Sequence, residues 1–171
     1  DFRTTTDGGT TADFNGDSGL SDTQGSGRWN FLNGETPTLL TFGAAGNAGQ
    51  SMYMTIGQVN GLPALGDQQI FGNVPAPAAR RIQWHVGATT AQSAVMRWTA
   101  GADVTHLAIA GTIAHGIAVG TNLKFDILVN GVNQFTISLA TTTLQTFNVT
   151  GLSISAGQHV EFILSVTSND N

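Results

Sequence analysis

Gly16-Asp17-Ser18-Gly19 has the residue order of a serine-nucleophile loop, and Ile113-Ala114-His115 supplies a histidine of the kind that could deprotonate it. Acyl transfer would need that serine, that base and an orienting carboxylate to converge. In serine-protease loops of this form the histidine comes first in the chain; here it follows the serine, and Leu20 stands where an oxyanion glycine belongs. No Gly-x-Ser-x-Gly elbow occurs. We read a coincidence within a loop of Gly, Asp and Ser, and expect no catalytic residues and no enzyme.

Asp13, Asn15 and Asp17 alternate, with Asp22 downstream. Calcium takes about six to eight hard oxygens, and a loop alternating acids and amides can wrap one. The glycine falls at Gly19, seventh in the run rather than sixth, and no glutamate closes the loop. Two readings stand: a structural calcium held by Asp13, Asn15, Asp17 and Asp22, or solvated turns in which Asx side chains bond their own backbone. No other cofactor is expected. His85, His106, His115 and His159 lack a metal-ligand spacing. His106 alternates with Val104 and Ala108, which reads as a packed or hydrogen-bonded strand residue.

Asp126 and Glu161 are isolated carboxylates in alternating segments, each opposite its apolar stripe. Glycoside hydrolysis needs two carboxyls roughly 5–10 Å apart, and spacing along the chain does not bring these two together. A solvated role is expected for both. Trp29, Tyr53, Trp84 and Trp98 have flat faces that can stack on a sugar ring or pack in a core. Tyr53 and Trp84 are the candidates for sugar stacking, with plain packing or an interchain contact as the alternative. Asn148-Val149-Thr150 is the one glycosylation sequon, relevant where the source glycosylates Asn148.

The segments that carry these residues have a period of two. Met52, Met54 and Ile56 share a face; so do Leu123, Phe125, Ile127 and Val129; then Phe135, Ile137 and Leu139; then Val160, Phe162, Leu164 and Val166. Such alternation marks half-buried strands. Asn130-Gly131 between two of them predicts a tight hairpin, since both residues tolerate positive φ. Further strands are expected at 38–43, 80–86, 94–100, 104–113 and 145–154. About nine strands and no helix predict an all-β antiparallel sandwich of jelly-roll type. Residues 1–37, rich in Gly, Asp, Thr and Ser, read as an N-terminal arm with one short strand near Trp29-Asn30-Phe31. Residues 38–171 form the sandwich, with 57–79 a long surface connection punctuated by Gly and Pro.

Composition narrows the function classes. The 171 residues carry a net charge of −5, and charged residues make up 10% of the chain, against roughly 25% in an average soluble domain. The surface must therefore be built from Thr, Ser, Asn, Gln and Gly. Lys124 and the arginines form no patch beyond Arg80-Arg81, so nucleic acid is an unsuitable partner. No apolar run reaches the roughly 18 residues of a membrane span. Cysteine is absent, which removes disulfides and thiol chemistry. A chain that opens on Asp1 is expected to be a mature, exported form.

Several stretches occur in a consistent order: Asp13-Phe14, Trp29-Asn30-Phe31, His85-Val86-Gly87, Val95-Met96-Arg97-Trp98-Thr99-Ala100, Val129-Asn130-Gly131 and Ala156-Gly157-Gln158. The chain thereby resembles a group of jelly-roll domains of exported bacterial proteins, often found beside sorting anchors or carbohydrate-active modules. Their pattern runs Asp-Phe, Trp-Ser-Tyr, His-Pro-Gly, Val-Val-Arg-Trp-Thr-Ala-Pro, Asn-Gly and Ala-Gly-Asp. Gly101, Val86 and Gln158 depart from it. The resemblance implies the fold and export, and it specifies no single activity. The expectation is a non-catalytic, secreted or cell-surface structural subunit that assembles with copies of itself into a filament, tube or layer, its arm adding a strand to the next subunit. The alternative is a carbohydrate-binding module that meets polysaccharide through Tyr53 and Trp84.

Overall fold

The computed structural model describes residues 29–34, 38–42, 52–54, 64–66, 83–87, 89, 91–116 and 122–167. Among them are twelve strands and no helix: β1 Trp29–Asn33, β2 Thr38–Leu39, β3 Thr41–Phe42, β4 Met52–Met54, β5 Ala64–Gly66, β6 Gln83–His85, β7 Ala94–Thr99, β8 Val104–Ile113, β9 Leu123–Val129, β10 Val132–Leu139, β11 Gln145–Ile154 and β12 His159–Val166. Each segment expected to be a strand holds one. The predicted 38–43 strand is divided, because the chain crosses from one sheet to another at Leu40, which is 4% exposed. The short strand of the arm is β1. It lies inside a sheet, between β7 and β2. β5 falls within 57–79, which the Gly and Pro content had marked as connection only.

Every ladder is antiparallel. The sheets run β10-β9-β12-β7-β1-β2, β11-β8 and β3-β4-β5-β6. The C-terminal ladders are nested: β7 pairs with β12, β8 with β11 and β9 with β10. A long hairpin rolled so that its middle pair, β8·β11, lies in a separate sheet has this connectivity, which is that of a jelly roll.

The core forms where alternate residues of these sheets meet. Ala94, Met96 and Trp98 of β7, Phe125, Ile127 and Val129 of β9, and Val160, Phe162 and Leu164 of β12 pack with Ile109 of β8 and Phe147 and Ile154 of β11. Phe125 is the hub. Its ring centroid lies 5.4 Å from that of Phe147, 6.0 Å from Trp84 and 6.4 Å from Phe162. One side chain thus joins all three sheets.

Local chemistry sets the turns. Asn130 (φ 49°) and Gly131 (φ 78°) make the hairpin between β9 and β10, the left-handed pair that suits strand twist. Two further turns are tied together. Gly157 N–H donates to the Ala100 carbonyl at 2.8 Å, and Ala100 N–H donates to that of Gln158 at 2.9 Å. Asp103 Oδ1 accepts from the Ala156 N–H at 2.9 Å. The Arg-Trp-Thr-Ala stretch and the Ala-Gly-Gln stretch, 56 residues apart at Ala100 and Ala156, are therefore one structural corner.

Candidate interaction surface

Asp13, Asn15, Asp17 and Asp22 lie outside the described residues, as does the Gly16-Asp17-Ser18-Gly19 loop. His115 follows the end of β8, half-buried, and its Nδ1 is buried without a hydrogen-bond partner. Among the described residues, no group of three or more His, Cys, Asp or Glu is placed to hold a metal ion. Nor is any helix among them long and apolar enough to cross a membrane.

The carboxylates expected to be solvated lie on the expected face, opposite the core, but they are not free in solvent. Asp126 is 6% exposed. Its Oδ1 accepts from Thr136 Oγ1 at 2.6 Å and from Asn133 Nδ2 at 3.3 Å, and Oδ2 lies 2.9 Å from Lys124 Nζ. The hairpin turned by Asn130-Gly131 brings Thr136 and Asn133 beside it, a long-range effect that alternation within β9 does not reveal. Glu161 is directly opposite Arg97 across β12 and β7. Its Oε1 accepts from Arg97 Nε at 2.8 Å and Nη2 at 2.6 Å. Because Leu128 faces Glu161 and Asp126 faces Ile163, the two carboxylates are diagonal neighbours on one face, roughly 7–8 Å apart at the backbone. The bonding is that of cross-strand structure, each carboxylate already held by a cation.

Trp84 is half-buried, edge-on to Phe125. Backbone register aligns Tyr53 with Leu65 and Leu65 with Trp84 across β4, β5 and β6. Trp98 is 4% exposed in the core, its indole N–H buried without an acceptor. His106 is exposed, with Nδ1 3.0 Å from Thr105 Oγ1. Asn148 is exposed on β11, directly opposite Ala110 of β8.

The feature that stands out is where charge is absent. The charged side chains among the described residues are Arg97, Asp103, Lys124, Asp126 and Glu161. Asp103 is in a turn, and the other four are on β7, β9 and β12, the inner strands of the six-stranded sheet. β10, at one edge of that sheet, carries no Asp, Glu, Lys or Arg; neither do β8 and β11, which have only each other as ladder partners among the described residues. Sheet edges expose unpaired backbone groups, and globular proteins commonly guard them with charge, proline or bulges. Among the described residues the charge is central and β8, β10 and β11 are neutral, each interrupted by one inserted residue. On β10, amide side chains engage two carbonyls: Gln134 Nε2 donates to the Val132 carbonyl and Gln145 Nε2 to that of Ser138, each at 3.3 Å. The exposed face of β8·β11 is small and uncharged: Ala108, Ala110 and Thr112 beside Thr146, Asn148 and Thr150.

This distribution was not drawn from the sequence, although it was legible there. The signal is the pair of ten-residue strands without a charge, once it is known that they form an edge. No family model, no curated protein and no solved structure matches the chain, so the resemblance seen in its motifs rests on the residues themselves.

Proposed function

We propose that this chain is a non-catalytic extracellular structural subunit that assembles with copies of itself, the N-terminal arm of one subunit adding a strand to the next. The observation that carries this reading is the uncharged edge that β8, β10 and β11 present among the described residues. Strand addition draws its affinity from main-chain hydrogen bonds along such an edge, and head-to-tail addition that does not close on itself gives open polymers. The sparse charge supports the same reading, because little long-range repulsion opposes close packing of identical chains. The carboxylates Asp126 and Glu161, each ion-paired, support the non-catalytic part.

Deletion of residues 1–28 tests it, since β1 begins at Trp29. The expected result is a folded chain that no longer forms the fibres or layers seen by electron microscopy with the full chain. Polymers unchanged by the deletion would remove the arm from the assembly. A full chain that stays monomeric at high concentration, yet is retained on a polysaccharide and released by Trp84→Ala, would replace this reading with the carbohydrate-binding one.

A further inference from the structure

β8 has a second property, independent of the arm: its sequence is complementary to itself. From Val149↔Ile109 to Leu152↔Leu107 the register advances three residues on β11 and two on β8. From Leu152↔Leu107 to Ile154↔Val104 it advances two on β11 and three on β8. The first inserted residue is therefore on β11, beside Gly151 (φ 75°), and the second is on β8 between Val104 and Leu107. Leu107 to Ile113 is left as an uninterrupted stretch of β8. Its edge away from β11 has no ladder partner among the described residues.

We infer that this stretch pairs, antiparallel, with the same stretch of a second copy about a two-fold axis at Ala110, giving a continuous sheet β11-β8-β8-β11. The register follows from the residues. Centring on Ala110 sets Leu107 against Ile113, Ala108 against Thr112, and Ile109 against Gly111, each twice by symmetry. On the core side the branched Ile109 meets a glycine, while half-buried Leu107 meets half-buried Ile113. On the exposed side only Ala and Thr meet. Directly opposed like charges destabilise a cross-strand pair, and two-fold pairing opposes every residue to its own kind or near it. A stretch with no charged residue avoids that penalty in every register, and its alternation of large and small selects this one. An isologous contact of this kind closes a dimer and occupies the remaining edge of β8, so a head-to-tail arm contact falls to β10 or β11.

The absence of cysteine makes the test direct. In the full chain, single substitutions Ala110→Cys, Ala108→Cys, Thr112→Cys and, on β11, Asn148→Cys are oxidised mildly and scored on non-reducing gels. Residues directly opposed across an antiparallel pair have Cα atoms about 4.5–5.5 Å apart, within disulfide reach. Ala110→Cys is expected to give covalent dimer alone. Ala108→Cys and Thr112→Cys are each expected to stay monomeric alone, because their copies lie about four residues, or roughly 13 Å, apart along the strand, and to cross-link when mixed. No dimer at Ala110→Cys, or dimer at all four positions alike, overturns the pairing. Either result leaves the arm-deletion test untouched, so the two proposals fail separately.

Discussion

Phe125 shows how much one residue decides here. Its ring meets aromatic partners on β6, β11 and β12, and it is 2% exposed. Truncation removes contacts to all three sheets and leaves a cavity that rigid strands fill poorly. Phe125→Ala is expected to cost about 3–5 kcal/mol, read as a lower urea midpoint. A loss below about 1 kcal/mol would mean the sheets do not depend on this hub. The Arg97–Glu161 pair is a smaller effect of a different kind. Both donors converge on one oxygen, and the side chains are 27% and 14% exposed, so solvent screens the pair only in part. Glu161→Gln keeps an acceptor in place but drops the charge, and is expected to cost about 1–2 kcal/mol. A double-mutant cycle with Arg97→Met checks it: coupling near zero would show that the pair orders the surface without stabilising it.

Among the elements, β8·β11 is the one whose local chemistry is most constrained. Gly111 lies directly opposite Phe147, and a Cβ at Gly111 would sit 2.6 Å from the tip of that ring. Phe147 is 5% exposed and packs on Phe125 and Phe135, so a shift of its ring disturbs those contacts. Gly111→Ala is expected to lower stability by about 1–3 kcal/mol, measurable as a drop in Tm. An unchanged Tm would show that the ring can swing aside. The same glycine supplies the small partner for Ile109 in the two-fold pairing, so one residue type serves packing within the subunit and fit between subunits. β9 and β10 depend instead on their turn, where positive φ at Asn130 and Gly131 sets a register that brings Thr136 and Asn133 onto Asp126.

At the largest scale, the arrangement of charge in the described sheets predicts how association through those sheets responds to solution conditions. The charged side chains of the described sheets are central and largely satisfied by one another, while the long edges offer backbone amides, Thr and Ala. Interactions between exposed charges weaken as the screening length falls from about 10 Å at 0.1 M salt to about 3 Å at 1 M. Hydrogen bonds along a neutral edge do not. Polymer formed by the full chain, followed by light scattering, is therefore expected to change little across that range of sodium chloride. A steep loss of scattering with salt would place the contacts on the charged residues instead and remove the neutral edge as the basis of assembly.

The identity of the longer strands was determined by the sequence alone. β9 at Leu123–Val129, β8 at Val104–Ile113 and β11 at Gln145–Ile154 have the bounds that alternation and turn residues predict, because burial of one face imposes a period of two on any strand. The Asn130-Gly131 hairpin was legible for a similarly local reason: few residue pairs tolerate two positive φ angles in succession. What only the tertiary structure decided is neighbourhood. Nothing within β9 announces that Asp126 is buried, since Thr136 and Asn133, which bond its carboxylate, arrive from β10. Nothing within residues 57–79 marks β5, because three residues are too few to show a period. The absence of charge from β8 and β11 gains meaning only when those strands are seen to have no ladder partner but each other among the described residues. A strand's sequence records which of its faces is wet; which strands flank it depends on how the whole chain rolls up, and the surface on which the proposed assembly depends is set by that rolling.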